Sequence, residues 1–436
     1  MTAPAAGARR SYRARWIVPV DREPIEQGTI EIEGGRITAV HDRTDKRSRD
    51  LGNVAILPGL VNAHTHLEFS ALGKPISPVV PFPDWIRAVR DNRAQRTDDD
   101  STSVTTGLVE SAAAGTTTVG EIATAGWSPD PFTPAAPRAV VFRELIGLRS
   151  RQIDQQLAIA RDHLTAGDQT AFASRTSARK APHPYRGLSP HAPYSVHREL
   201  YSRLVALAAE FRVPMAVHLA ETREELELLA HRRGGFVEML KDFGVWEPDA
   251  IPRRSRPLDY LQPLTTLEHA LVVHGNYLSA EEIEFVCRHP NLTVIYCPRT
   301  HARFGHRGHP WRRLLEGGGR VAIGTDSRAS NPDLSLWREL CFLREQFSDV
   351  PPRKLLELGT VCGARALGLE ETAGTLTVGR SADLTVISLD AAGTGDIAAA
   401  LLHPRHRVVA TMRSGLWITR QTIDPSCSQT AQPATD

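Results

Sequence analysis

The sequence has little cysteine and no CxxC pair: Cys287, Cys297, Cys341, Cys362 and Cys427 are scattered over 436 residues. An odd set of isolated thiols argues against a disulfide framework and fits reduced cysteines in a cytoplasmic protein. No apolar run approaches the roughly 20 residues of a membrane span. The N-terminal stretch MTAPAAGARRSYRARWIVPV carries arginines without the apolar core of a signal peptide. Charge of one sign is also missing: 52 basic residues stand against 50 acidic ones, a net +2, which removes the usual reason to expect nucleic acid or an anionic membrane as partner. The partner expected is a small-molecule substrate, and a homodimer is the base-rate assembly.

Enough apolar residues are present, 41 %, to build a sizeable core without disulfides or a structural metal. Eight short apolar runs punctuate the middle of the chain: VAILPGLV near Val54, GTTTVGEI near Gly115, RAVVFREL near Arg138, YRGLSPHA near Tyr185, VPMAVHLA near Val213, ALVVHGNY near Ala270, NLTVIYCP near Asn291 and RVAIGTDS near Arg320. Runs of this kind read as strands buried on both faces. Helix-like stretches lie between them, at Ser195–Phe211, Thr222–Phe243, Ser279–Arg288 and Leu334–Phe347; Ser279 and Glu282 form a capping-box pattern. Eight strands alternating with helices predict an α/β fold, a (β/α)8 TIM barrel. A doubly wound open sheet is the alternative, but no strand leads into a Gly-rich dinucleotide loop.

Both ends of the chain alternate and are punctuated by glycine, which predicts antiparallel strands that pair into one small composite β-sandwich. The expected boundaries are residues 1–57 and 370–420 for the two parts of the sandwich and 58–369 for the barrel, with a polar, disordered tail over 421–436. The polar, basic stretch Gly167–Gly187 is long enough to be a lid or a disordered loop.

The chemistry concentrates at predicted strand ends. His64 and His66 stand two apart just after the first apolar run, so in extended chain their imidazoles point the same way. By itself such a pair reads more often as two surface histidines than as a site. His218 ends the fifth strand, His274 the sixth and Asp326 the eighth, and in a closed barrel all these ends meet at one mouth. Imidazoles with a carboxylate suit one divalent ion, zinc first and ferrous iron second, rather than calcium or magnesium. Glu221, three residues beyond His218, is placed to shuttle protons; at a helix start it is also simply a favourable acid. Glu224 and Glu225 read as solvated.

The segments LPGLVNAHTHLEFS, SPHAPYSV, HLAETREE, VVHGNYLS, CPRTHARFG, GTDSRASNPDLS and the terminal GTLTVGRSADLTVI resemble the amidohydrolase superfamily, in its cytosine, adenosine and guanine deaminase and chlorohydrolase branch. The resemblance implies that His64, His66, His218 and Asp326 bind one metal, that Glu221 is the proton shuttle, and that His274 hydrogen-bonds the attacking water. No lysine ends strand four, where binuclear members carry one; His191 is there, which favours a mononuclear centre and resembles a substrate-contacting histidine. The implied reaction is attack of metal-bound hydroxide on a ring carbon bearing an amino group, with Glu221, His274 and Asp326 as catalytic groups and ammonia released.

Further candidates for substrate contact are Trp85, which can stack on a purine, Arg143 and Arg149, which can bind a ribose or carboxylate in bidentate fashion, and Glu68, which lies on the side of His66 if the chain stays extended. Ser330 and Asn331 read as shaping the turn after Asp326. His301, His306 and His309 read as a pocket-rim loop, with a second metal site the lesser reading. The leading function is a deaminase of an adenosine-type aminopurine: adenosine, S-adenosylhomocysteine, methylthioadenosine or aminodeoxyfutalosine. The alternatives are a chlorohydrolase or other C–N hydrolase of the same branch, and a metal-free structural homologue.

Overall fold

The computed structural model describes residues 9–43, 47–95, 100–166, 184–390 and 396–420. Most of the Gly167–Gly187 stretch and all of the 421–436 tail, on which two of the expectations fall, lie outside the described residues.

Eight parallel strands form the predicted barrel: β1 (Leu60–His66), β2 (Thr116–Ala123), β3 (Arg138–Leu145), β4 (Tyr185–Pro190), β5 (Met215–Leu219), β6 (Ala270–His274), β7 (Leu292–Tyr296) and β8 (Arg320–Ile323, resuming as Asp326–Ser327). Each pairs with the next in the chain. The ring closes through β8, whose first half pairs with β7 and whose second half pairs with β1, Asp326 opposite Thr65 and Ser327 opposite His66. The change of partner falls at Gly324 and Thr325. Gly324 donates to the Tyr296 carbonyl at 3.0 Å, and Thr325 donates to the His64 carbonyl at 3.2 Å. A Cβ on Gly324 would stand 2.9 Å from both Cβ and O of His64, so the close approach that seals the barrel requires glycine.

Side-chain parity sorts the core. Val61, Ala63, Val140, Phe142, Ala216, Leu271, Val273, Ile295 and Ala322 form one apolar cluster drawn from alternate positions of six strands, which is the barrel interior. The intervening residues, such as Val217, Val272, Val294 and Val321, pack outward in a larger cluster with the surrounding helices. Among the described residues no helix is long and apolar enough to cross a membrane.

The chain ends build two further sheets. One is ordered Arg36–His41, Thr29–Glu33, Arg10–Arg13, Arg49–Asp50. The other is ordered Leu416–Arg420, Val408–Arg413, Leu384–Ser388, Val54–Pro58, Trp16–Ile17, Ile25–Glu26. Ile30, Ile32 and Tyr12 from the first share a cluster with Ile56, Leu384, Val386 and Met412 from the second, so the two sheets face each other across a common core, the expected composite sandwich.

Two readings of the sequence are corrected. The VAILPGLV run is not one barrel strand: Val54–Pro58 pairs with Leu384–Ser388 in the sandwich, and the barrel begins only at Leu60, so His64 and His66 lie on β1 rather than beyond it. Hydropathy cannot see the change of sheet, because both halves are fully buried. The Thr222–Phe243 stretch is two helices, Arg223–His231 and Gly235–Asp242. Arg232 at φ 52° and Gly234 at φ 92° break it.

Barrel and sandwich are pinned by Arg138 at the start of β3. Its guanidinium pairs with Asp383 at 2.6 Å, with both side chains at most 6 % exposed, and also donates to Thr118 and Ser381. Removing one member of such a pair strands a buried charge at a cost of about 3–5 kcal/mol. Arg138→Met is therefore expected to lower the urea-unfolding midpoint markedly, and adding Asp383→Asn to recover part of the loss; an unchanged midpoint in the single variant would contradict this role.

Candidate active site

At the C-terminal mouth of the barrel, nitrogen atoms of His64, His66 and His218 all lie within 4.8 Å of one another, and all three residues are buried. Strand parity alone would not bring them there. Val61 and Ala63 face the barrel interior, which would turn His64 and His66 outward. The pairing of β1 with β2 slips by one residue between Asn62 and Thr65. This bulge re-aims the histidines inward. On β5, His218 follows Ala216 on the interior face without irregularity.

Asp326 joins the cluster from β8, its Oδ1 3.7 Å from Nε2 of both His64 and His66. Ser330 donates to its other oxygen at 2.7 Å, so the serine read as a turn residue orients the carboxylate. Burial works to raise the Asp326 pKa, but His64, His274 and His66 around it outweigh that and hold it below the usual carboxylate range. Asp326 and His274 both sit at positive φ, 58° and 67°, a rare backbone state that turns side chains at strand ends toward the mouth. His309 donates through Nε2 to the His274 carbonyl at 2.8 Å and steadies that bend.

The residues present fit a divalent cation. Nδ1 of His218 meets the His191 carbonyl at 2.9 Å, which makes Nδ1 the protonated nitrogen and leaves the Nε2 lone pair facing the cluster. Nε2 of His66 and of His218 stand 3.3 Å apart, and both nitrogens of His64 have no hydrogen-bond partner among the described residues. Burial, reinforced by the neighbouring imidazoles, pushes His66 and His218 well below the ordinary histidine range, which favours the neutral imidazole that a cation would need. Among the described residues this is the one group of three or more such side chains close enough to share an ion; His301, His306 and His309 form no comparable group.

Glu221 lies beside the cluster, 3.4 Å from Nε2 of His274. Its backbone is gripped from two sides. Glu225 accepts the amides of Ala220 and Glu221 at 3.0 and 2.9 Å, and Asn276 donates to the Glu221 carbonyl at 2.9 Å. Glu225 is fully buried, not solvated as the sequence alone reads. Burial, and then the charge of Asp326, push the Glu221 carboxyl well above its usual pKa.

These groups floor a cavity of about 350 Å³. Trp85 and His191 line it, with Phe69, Phe82, Leu148 and Phe243 among the apolar walls. Trp85 packs its ring 5.3 Å from Phe82 and 5.1 Å from Phe304. His191 shares Nδ1 with the Ser195 hydroxyl at 2.7 Å, and burial lowers its pKa to about 3, leaving a neutral imidazole edge toward the cavity.

Three of the candidate contacts are not brought to the cavity wall. Arg143 shares the outward face of β3 with Val141 and donates to the Ala123 carbonyl. Arg149 begins a short 3-10 turn at Ser150–Gln152. Glu68 does not continue the extended direction of β1: both oxygens of buried Glu121 take the Leu67 amide, the chain coils into a 3-10 turn over Leu67–Phe69, and Glu68 pairs with Arg93. Instead Glu144, Arg90 and Arg93 line the cavity. Parity on β3 is the signal that points to Glu144, two residues beyond Phe142. The arginines carry no comparable mark in the sequence.

Residues 55–418 match the amidohydrolase family. Among curated proteins, the chain is 28% identical over 376 residues to a 5-methylthioadenosine/S-adenosylhomocysteine deaminase of Pyrococcus furiosus, covering 84% of this chain and 81% of that one. It is 30% identical over 401 residues to the protein of the same name from Desulforudis audaxviator, covering 87% and 84%. Among solved structures, an adenosine deaminase from Xanthomonas campestris with bound zinc superposes with a TM-score of 0.73 at 25% identity, over 93% of this chain and 92% of that one. The chain belongs to the amidohydrolase family, and with it to the hydrolases of carbon–nitrogen bonds.

The grip on Glu221 is testable apart from catalysis. Glu225→Ala strands two buried amides, at about 1–3 kcal/mol each. A clear fall in the thermal-unfolding midpoint is expected, and a midpoint equal to wild type would show that Glu225 does not hold this turn.

Proposed function

We propose that this chain is a metal-dependent aminohydrolase that replaces the amino group of an adenosine-type 6-aminopurine with oxygen from water and releases ammonia. The observation that carries the reading is the pairing of two machines on one floor: the His64, His66, His218 and Asp326 donor set, and the Glu221 carboxyl with His274 at 3.4 Å. The relatives named as deaminases of 5-methylthioadenosine and S-adenosylhomocysteine, and the adenosine deaminase, supply the substrate class. Zinc is the metal we assign, from the three-imidazole, one-carboxylate donor set and from the zinc in the Xanthomonas structure, with ferrous iron second. We also assign the chain up to Pro58 and residues 370–420 to the sandwich, and the segment from Leu60 to 369 to the catalytic barrel.

His64, His66, His218 and Asp326 would hold the ion. When bound it supplies Lewis acidity that lowers the pKa of water from about 15.7 toward 7. Asp326, held ionised, and neutral His274 accept and steady the proton of the attacking water. Glu221, kept protonated by burial, donates to the ring nitrogen beside the reacting carbon. It then takes up the first proton of the water, from Asp326 and His274, and passes it to the departing amine; the second proton, on the hydroxyl that becomes the carbonyl, returns to Glu221, so protons balance across the turnover. His191 presents Nε2 to the ring edge, and Trp85 with Phe82 forms an aromatic wall that excludes solvent.

Glu221→Gln keeps the shape and loses the proton. Its kcat should fall about 10²–10⁴-fold with adenosine-type substrates, in a coupled assay for ammonia, while metal content stays at the wild-type level. Near-normal turnover would refute the shuttle. Release of chloride from halogenated triazines in place of ammonia from aminopurines would refute the reaction class.

A further inference from the structure

The strand end that carries Asp326 is tied to its neighbour by a chain of hydroxyls. Ser330 Oγ lies 2.7 Å from Oδ2 of Asp326, and Thr300 Oγ1 lies 3.0 Å from Ser330 Oγ. All three side chains are buried. Proton counting sets the direction of the chain. A carboxylate that ligates an ion carries no proton and only accepts. Ser330 has one hydroxyl proton, and the short bond to Asp326 uses it; the Ser327 carbonyl, at 3.3 Å, is the more distant acceptor. The Thr300 hydroxyl is therefore the donor to Ser330, and the order runs from Thr300 through Ser330 to Asp326. Hydroxyls linked in this way polarise one another and strengthen the last bond. Oδ1, the oxygen left outside the chain, is the one 3.7 Å from Nε2 of both His64 and His66.

Thr300 is brought to Ser330 by the chain that follows β7. Pro298 opens a short helix, Pro298–Arg303, directly after the strand, so Thr300 stands in its first turn. Thr105, Thr106 and Thr165, within longer helices, donate their hydroxyls to the carbonyl four residues back. Thr300 has no helical carbonyl at that spacing and reaches across to the loop after β8. That loop is clamped to the same short helix. Arg299 pairs with Asp333 and with Glu339, each at 2.7 Å, and Asn331 donates to Glu339 at 2.6 Å and to the Thr325 carbonyl at 2.8 Å. The clamp keeps the two hydroxyls in register without touching the imidazoles. We propose that Thr300 is a positioning residue for Asp326: acting through Ser330, it holds Oδ2 out of the cluster and leaves Oδ1 as the single oxygen that Asp326 offers to an ion. The assignment rests on the donor set proposed above.

The test is a double-mutant cycle on the full chain, read by cobalt(II) affinity in competition with a chromophoric chelator and by the visible bands of the cobalt(II) protein. Thr300→Val keeps the shape and removes the hydroxyl. It should weaken cobalt(II) binding about 10-fold and alter the bands. Thr300→Ser restores the hydroxyl and should return both readouts to wild type. Ser330→Ala removes the link and should weaken binding at least as much as Thr300→Val. Adding Thr300→Val to Ser330→Ala should then change little, because a chain cut in the middle transmits nothing from its far end. Thr300→Ala, run in parallel, must show the loss seen with Thr300→Val. Wild-type affinity and bands in both Thr300→Val and Thr300→Ala overturn the assignment. So does a loss from Thr300→Val that is as large in the Ser330→Ala background as in wild type. A wild type that takes up no cobalt(II) refutes the donor set itself, whereas uptake that is indifferent to Thr300 refutes only the positioning role.

Discussion

Three imidazoles and a carboxylate converge on one point in a place where water cannot screen them, and the rest of the molecule is arranged around that convergence. Buried polar nitrogens without partners are expensive. Here the three imidazoles face one point, an arrangement that could share one cation. His218 reaches the point by plain strand parity. His64 and His66 need a bulge, and Asp326 needs a left-handed residue conformation. The barrel pays for this irregularity with ordinary packing elsewhere, in the alternating Val, Ile and Leu of its strands.

Closure of the barrel and assembly of the site are the same event. The strand that brings Asp326 is also the one that seals β7 to β1, and the seal runs past Gly324 against the backbone of His64. Asn62 adds to it, taking the Thr325 amide at 3.1 Å and donating to its hydroxyl at 2.7 Å. An open or slipped barrel could not keep the cluster. Glu221 is held separately, by Glu225 and Asn276 on its backbone. The donor cluster and the Glu221 turn are therefore held by different sets of residues.

Much of this was legible in the sequence. Eight apolar runs and two alternating ends were sufficient for the barrel and the sandwich, because burial on both faces and period-two alternation leave direct marks in composition. His64, His66, His218, His274 and Asp326 were visible because strand ends were. Less local properties were not. The change of sheet between Pro58 and Leu60 occurs inside an unbroken apolar run. The turn after His66, which takes Glu68 to Arg93, depends on Glu121 from another strand. Arg143 looked like a substrate ligand until parity placed it outside, while its neighbour Glu144 went unremarked on the inner face. Glu225, charged and next to other acids, carries no sign in sequence that two backbone amides bury it.

The direct measurement of the convergence is the metal itself. X-ray absorption spectroscopy with elemental analysis on the purified chain should find one divalent ion per chain, in a shell of nitrogen and oxygen without sulfur, and His218→Ala should lose most of it. A wild-type protein that takes up no stoichiometric metal under saturating zinc or ferrous iron, or one that holds it undiminished without His218, would contradict the account.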